Sequence, residues 1–337
     1  MIRYSLLLLL SVSACGSQTP ACRINADCAS GLCNPNGSCA LHSGGDSGAG
    51  DQGTPIDTDD GRSPGDATVM CRPNNDQVIS RDELVFPIGY PVKFRVASGD
   101  VPVQTAGVVT DGTTVWDLSG TLPNDHDYMA ENVALGGLWF GADFTGATFA
   151  SRTSDVAPYD GGPTDLMTIA EITDSAMLLR GVASPVETDP DGVPNTEITY
   201  DPPATAMALP LTLGASWTSD ANATGHMAYE SYGIWYRVPT MLDTYLGTIH
   251  LDVKVDGIGR LVTPYGTFPS VMRVSTTATQ SLMGVPMSIV RSKAFVTDCF
   301  DTVATVRSQA NETNDEFASA AEVWRLADVT GSGLEVP

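Results

Sequence analysis

The chain has 337 residues, a formal net charge of −23 and seven Cys. With 17 Lys and Arg against 40 Asp and Glu, it lacks the clustered cations that phosphate contacts need, which argues against a nucleic-acid partner. Abundant Gly, Pro, Ser, Thr and Asp, without long Glu/Lys/Leu helices, points to an all-β secreted protein.

Residues 1–14 read as a signal peptide. Arg3 supplies a short positive start and Leu6 to Leu10 an apolar run. That run is far short of the ~20 apolar residues a bilayer span needs, and it fits the hydrophobic region of a secretory signal. No later segment is apolar enough to cross a membrane as a helix. The run ends in Val12-Ser13-Ala14-Cys15, which resembles the bacterial lipobox. The resemblance implies a lipoprotein with Cys15 acylated on its thiol (palmitate-type) and forming the mature N-terminus. Gly16 follows the Cys. An Asp there is the inner-membrane retention signal of Gram-negative lipoproteins, so its absence implies the outer membrane. The periplasmic and cell-surface faces both stay open. Several acyl chains at ~0.8 kcal/mol per buried methylene hold a protein firmly at a bilayer. The plainer reading is an ordinary signal peptide with a nearby Cys.

Residues 15–40 form a Cys-rich module. Cys22, Cys28, Cys33 and Cys39 fall within a segment too short to bury a core, so disulfides are expected to hold it. Four Cys allow three connectivities, which the sequence leaves open. Asn36-Gly37 marks a tight turn. A thiolate zinc site is the rival, but such sites usually pair Cys two to four positions apart, and these gaps are wider. The run Asp27-Cys28, Gly31-Leu32-Cys33 and Gly37-Ser38-Cys39 resembles small Cys-rich modules that follow the lipobox in lipoproteins of gliding bacteria. It is also similar to the N-terminal Cys-rich region of Dickkopf proteins. Only the disulfide fold is carried over from either.

Residues 41–70 are a linker rich in Gly, Ser, Asp and Pro, with no apolar periodicity. A flexible chain of that length spans roughly 30 Å. Residues 71–330 read as one β domain, followed by a tail at 331–337. Strands are expected at Val92–Ala97, Thr114–Leu118, Leu138–Ser151, Leu166–Ile172, Met177–Ala183, Ile198–Tyr200, Ala206–Leu211 and His226–Val238. The clearest signal is Leu246–Val255, where Ile249, Leu251, Val253 and Val255 alternate with polar residues, as in a half-buried antiparallel strand. Asp256-Gly257 reads as the turn after it. Strands at Arg260–Val262, Thr267–Thr276, Met283–Val296 and Thr302–Ser308 follow. Thr313 and Glu316 suggest a capping box, and Glu322–Leu326 reads as a last strand after a short helical turn. The expected architecture is an antiparallel β-sandwich or half-open barrel. Cys71 and Cys299 are the two Cys left over for a long-range disulfide, with an intermolecular bridge as the alternative.

Trp116-Asp117-Leu118-Ser119-Gly120, then Leu209 to Trp217, then Asp256 to Leu261, then Pro264 to Phe268 and Met272-Arg273-Val274, occur in that order. They resemble a loose group of secreted β-rich bacterial proteins of unassigned function. These motifs are turns and strand starts, so the resemblance implies a fold and no chemistry.

Reaction signatures are weak. Gly45-Asp46-Ser47-Gly48 resembles the nucleophile loop of chymotrypsin-like proteases, but it lies in the linker, before the folded body. No G-x-S-x-G elbow, P-loop, G-x-G-x-x-G or H-E-x-x-H pattern occurs. Asp125-His126-Asp127-Tyr128 is the densest ligand-type run and reads as a solvated loop. His250 sits on the polar side of its strand. Asp189, Asp191, Asn195 and Glu197 offer the hard oxygen ligands calcium favours, outside any EF-hand spacing. No other cofactor is implied. Tyr229, Tyr232, Trp235 and Tyr236 form an aromatic-rich strand that offers a platform for sugars if exposed, or core if packed.

The sequence therefore implies an envelope lipoprotein held to the membrane by its N-terminal lipid, with a non-enzymatic interaction or binding domain and an unidentified protein, lipid or glycan partner. A carrier of a hydrophobic ligand, a glycan-binding module and a hydrolase are the alternatives.

Overall fold

The computed structural model describes residues 73–155, 166–187, 196–226, 245–282 and 284–329, and the short pieces 12–13 and 163–164. Cys15, the Cys-rich module, the linker, Cys71, Asp189, Asp191, Asn195 and the aromatic row Tyr229, Tyr232, Trp235 and Tyr236 lie outside the described residues.

Twelve strands form one wall: β1 (Val92–Pro102), β2 (His126–Val133), β3 (Phe149–Asp155), β4 (Met167–Ile172), β5 (Ala176–Ala183), β6 (Glu197–Ala208), β7 (Ser216–His226), β8 (Tyr245–Val262), β9 (Thr267–Leu282), β10 (Val285–Thr297), β11 (Asp301–Ser308) and β12 (Ser319–Asp328). Each pairs antiparallel with the next in sequence, and β12 pairs with β1. The result is an up-and-down antiparallel barrel. Of the expected all-β architectures the barrel is the one adopted, and its sheet closes on itself. Closure satisfies the backbone groups that an edge strand would leave bare.

The period-two pattern decides which side chains are buried. On β8, Ile249, Leu251, Val253 and Val255 are all buried, while of the alternate residues Thr248, Asp252 and Lys254 are exposed and His250 is half-buried. The wall thus has an apolar face and a polar face. The main core lies on the apolar face across β5–β10. Leu179, Ile198, Ala223, Leu251, Val274 and Val296 pack there with Ile79 and Leu84 from the segment before β1. Burial of apolar area stabilises at about 25 cal/mol per Å², and this cluster gathers more buried residues than the other apolar clusters among the described residues.

The polar face is roofed in two places by excursions of the chain. Between β1 and β2, residues 103–125 fold over the wall and carry a short ladder, Val108–Thr110 with Thr113–Asp117. Thr113–Asp117 pairs parallel with the end of β8, and Trp116 packs against Phe295 with ring centroids 5.1 Å apart. A second core forms beneath it from Ala97, Leu261, Val306, Phe317 and Val323. Between β2 and β3, residues 134–148 bring Phe140 and Phe144 onto Ala150 and Ile169.

Several local expectations differ from what is observed, among them the separate strands at Ile198–Tyr200 and Ala206–Leu211, which are replaced by the single strand β6 ending at Ala208. Asp256-Gly257 is not a turn, because β8 runs unbroken from Tyr245 to Val262. Its glycines serve close approach instead: a Cβ on Gly259 would lie 2.2 Å from the Thr114 carbonyl oxygen and 2.7 Å from the Trp116 ring. Residues 138–147 are turns rather than strand, and β3 begins only at Phe149. The apolar residues that suggested a strand there cap the wall from above, with Phe140 fully buried. Residues 313–318 are bends, without the expected helical turn, and the Glu316 carboxylate lies 2.8 Å from Arg273 instead of capping a helix. A Ser/Glu pairing of that kind forms at Ser80, whose N–H donates to Glu83 at 2.7 Å. Glu322–Leu326 does lie in the last strand, β12.

Candidate functional site

Between the two roofs the polar face of β7–β10 is open among the described residues. A groove of about 540 Å³ lies there, bordered by Asp315 in the β11–β12 connection. Strand register builds its floor in two rows. Ser216, Lys254, Ser275 and Lys293 lie side by side across β7, β8, β9 and β10. The next row is Thr218, Asp252, Thr277 and Arg291. Directly paired residues project from the same face of a sheet, so each row alternates hydroxyl and charge along its length.

One end of the groove is held by a compact ionic network. Arg273 donates from Nε to Asp256 at 2.7 Å and from Nη1 to the Thr105 carbonyl at 2.6 Å. Its Nη2 lies 2.8 Å from Glu316, and its guanidinium sits 5.5 Å from the centroid of the Trp116 ring. Ser275 donates to Asp256 at 2.6 Å and accepts from Lys293 at 2.8 Å. The Lys293 ammonium is 3.7 Å from Asp256 and 4.0 Å from Glu316, both beyond direct hydrogen-bond length. Arg291 contacts Asp315 and donates to Thr277 at 3.0 Å.

These surroundings set the protonation of the groove. Burial drives the Lys293 pKa down, the charges of Asp256 and Glu316 oppose that, and the net result is a lowered value. Burial would raise Asp256, but hydrogen bonds from Arg273 and Ser275 and the nearby cations outweigh it and hold the carboxyl below its usual range. An ionised Asp256 has no proton to give at neutral pH. Its geometry suits fixing Arg273 and Lys293 in place and accepting hydrogen bonds.

The groove's charge also differs from that of the chain. Lys254, Arg291 and Lys293 balance Asp252, Asp256 and Asp315 among its lining residues, in a protein of net charge −23. At the rim, His250 lies 2.7 Å from Asp220 and 3.3 Å from Asp252. Its pKa is raised, first by the hydrogen bond to Asp220 and then by the charges of both carboxylates, with burial opposing.

The sequence-predicted candidates fall elsewhere. Asp125-His126-Asp127-Tyr128 is not a solvated loop. His126 to Tyr128 open β2, Asp125 pairs with buried Arg325, and Asp127 accepts from Arg95 at 2.7 Å. Tyr128 packs on Trp324 with centroids 5.2 Å apart. Glu197 stands at the start of β6, and its pKa is raised by burial and by Asp143, against the influence of His226. Among the described residues, no group of three or more His, Cys, Asp and Glu is placed to hold a metal ion. Cys299 is disulfide-bonded, and its partner lies outside the described residues. Arg291, Lys293 and Ser275 carried no remark in the sequence, and Asp256 and Arg273 were read there only as part of a turn and of a strand start. A signal was present: in a chain with 17 Lys and Arg, three of these cations fall at odd-numbered positions of two consecutive predicted strands.

No protein-family model matches the chain, and no curated protein does. A solved structure from Bacteroides fragilis, described as a "putative exported protein with YmcC-like fold", is similar at 12% identity and a TM-score of 0.35, over 72% of this chain and 96% of that one.

Proposed function

We propose that this protein is an exported lipoprotein of the outer membrane whose barrel acts as a non-enzymatic binding domain. Cys15 would carry the lipid, the Cys-rich module would sit next to it, and residues 41–70 would space the barrel from the bilayer. The observation that carries the binding role is the groove on β7–β10. It is the stretch of polar wall between the two roofs, and it concentrates fixed hydrogen-bonding groups with balanced charge. Its lining of Ser, Thr, Asp, Lys and Arg suits a polar ligand. A proton-donating carboxylate, which glycoside hydrolysis needs, is not supplied by Asp256 in its ionised state.

A photo-crosslinking amino acid placed at Thr218, an exposed groove residue, tests the binding role in the intact envelope. The same group at Asp174, in the exposed β4–β5 turn, serves as the comparison. A discrete adduct at Thr218 that is lacking at Asp174 supports the reading. Equal or absent labelling at both positions would contradict it.

A further inference from the structure

We infer that the β7–β10 groove recognises a short acidic saccharide, an inference that rests on the binding role proposed above. The argument begins with the shape of the floor. Four strands at about 4.8 Å spacing carry each row over roughly 14 Å, the length of a trisaccharide. Both rows alternate hydroxyls with charged groups: Ser216, Lys254, Ser275 and Lys293 in one, Thr218, Asp252, Thr277 and Arg291 in the other. Neighbouring hydroxyls of a sugar need donors and acceptors at close spacing, and Ser, Thr and carboxylate oxygens supply both. An acyl chain would find few apolar partners on such a floor, since its lining side chains are chiefly hydroxylated or charged.

The acidic group follows from the cations. Lys293 is 3% exposed, and among the described residues its one hydrogen bond goes to Ser275 at 2.8 Å. An ammonium carries three protons, so two remain for acceptors. The nearest carboxylates, at 3.7 Å and 4.0 Å, stand too far off to take them as direct hydrogen bonds. Lys254, in the same row, is exposed and makes no ion pair among the described residues. A ligand carboxylate over Ser275 would lie between the two ammonium groups. Elsewhere the strongly acidic surface repels polyanions, which favours a short ligand with its charge placed in the groove.

Isothermal titration of the full-length protein against trigalacturonate and trimannuronate, with galactotriose and inorganic phosphate as comparisons, tests the inference. At least one acidic trimer is expected to bind, and galactotriose roughly tenfold more weakly or not at all. Lys293→Met should weaken acidic-trimer binding by about tenfold or more, and Lys254→Met, on the exposed rim, by several-fold. Failure of both acidic trimers to bind would overturn the inference. So would equal binding of galactotriose, or unchanged affinity in Lys254→Met with the fold intact. Phosphate displacing the trimer at equal concentration would reduce the site to a simple anion site and overturn it as well. If Thr218 crosslinks in the envelope while neither acidic trimer binds, the saccharide inference fails and the binding role stands.

Discussion

Asp298 accepts the backbone N–H of Asn74 through Oδ2 at 3.1 Å, joining positions 224 residues apart. The same oxygen accepts from Asn75 at 3.1 Å, and the Cys299 N–H donates to the Glu83 carbonyl at 2.8 Å. The segment before β1 is thus tied to the β10–β11 turn at three points, and Cys299 is disulfide-bonded within that turn. Cys71 lies three residues before Asn74. We propose Cys71 as the partner of Cys299. Non-reducing peptide mapping should recover a 71–299 crosslink. Recovery of Cys299 joined to Cys22, Cys28, Cys33 or Cys39, or to a second chain, would contradict this.

Arg325 is fully buried and is held by Asp125, the Leu118 carbonyl at 3.2 Å and the Gly120 carbonyl at 2.6 Å. Removing one member of a buried pair leaves the other charge uncompensated, at a cost of about 3–5 kcal/mol. Arg325→Met is therefore expected to destabilise the barrel by that order in urea denaturation. Arg325→Met with Asp125→Asn should lose less than the sum of the two single changes. A change under about 1 kcal/mol for Arg325→Met would show that the pair does not brace the roof, since that is the range of an exposed pair.

Asp301 opens β11 with φ at +59°, and burial pushes its pKa from 3.8 up to about 6, against hydrogen bonds from Thr302. A raised folded-state pKa means the folded protein holds this proton more tightly than the unfolded chain. Its contribution to stability is complete below pH 3.8 and is lost as pH rises through about 6. Asp301→Asn keeps the shape, tolerates the left-handed backbone and removes the charge. It should stabilise the protein at pH 7.5 by up to about 3 kcal/mol, with little effect at pH 3.5. Denaturation curves at the two pH values check this. Equal effects at both would rule out the titration.

How much of this was legible in the sequence follows from what is local and what is not. The alternation from Ile249 to Val255 needs only the side-chain period of a strand, and it placed the first part of β8 and its buried face correctly, though not its continuation to Val262. The roles of Gly257 and Gly259 depend on Trp116, more than 130 residues earlier in the chain, so a turn was the natural local reading. Leu138, Trp139, Phe140 and Phe144 are apolar because they roof the wall, and composition cannot distinguish a roof from a strand. The groove was least legible. Its rows exist through the register of four strands, and β7 and β8 are separated by 18 residues in sequence, beyond the reach of a local pattern. Lys293 carries no motif. Its character comes from Ser275, Asp256 and Glu316, on two other strands and a connection.

Anchoring by Cys15, with the barrel held beyond the lipid, is the claim on which the proposed role depends. It is tested most directly by fractionating cells that express the wild-type chain or Cys15→Ser, with a labelled fatty acid in the medium. The account predicts label on the wild type and its recovery with the outer membrane. It predicts an unlabelled Cys15→Ser protein, folded with the same β-sheet spectrum, in the soluble envelope fraction. Cys15→Ser protein retained in the membrane at the wild-type level, or a wild type without label, would contradict it.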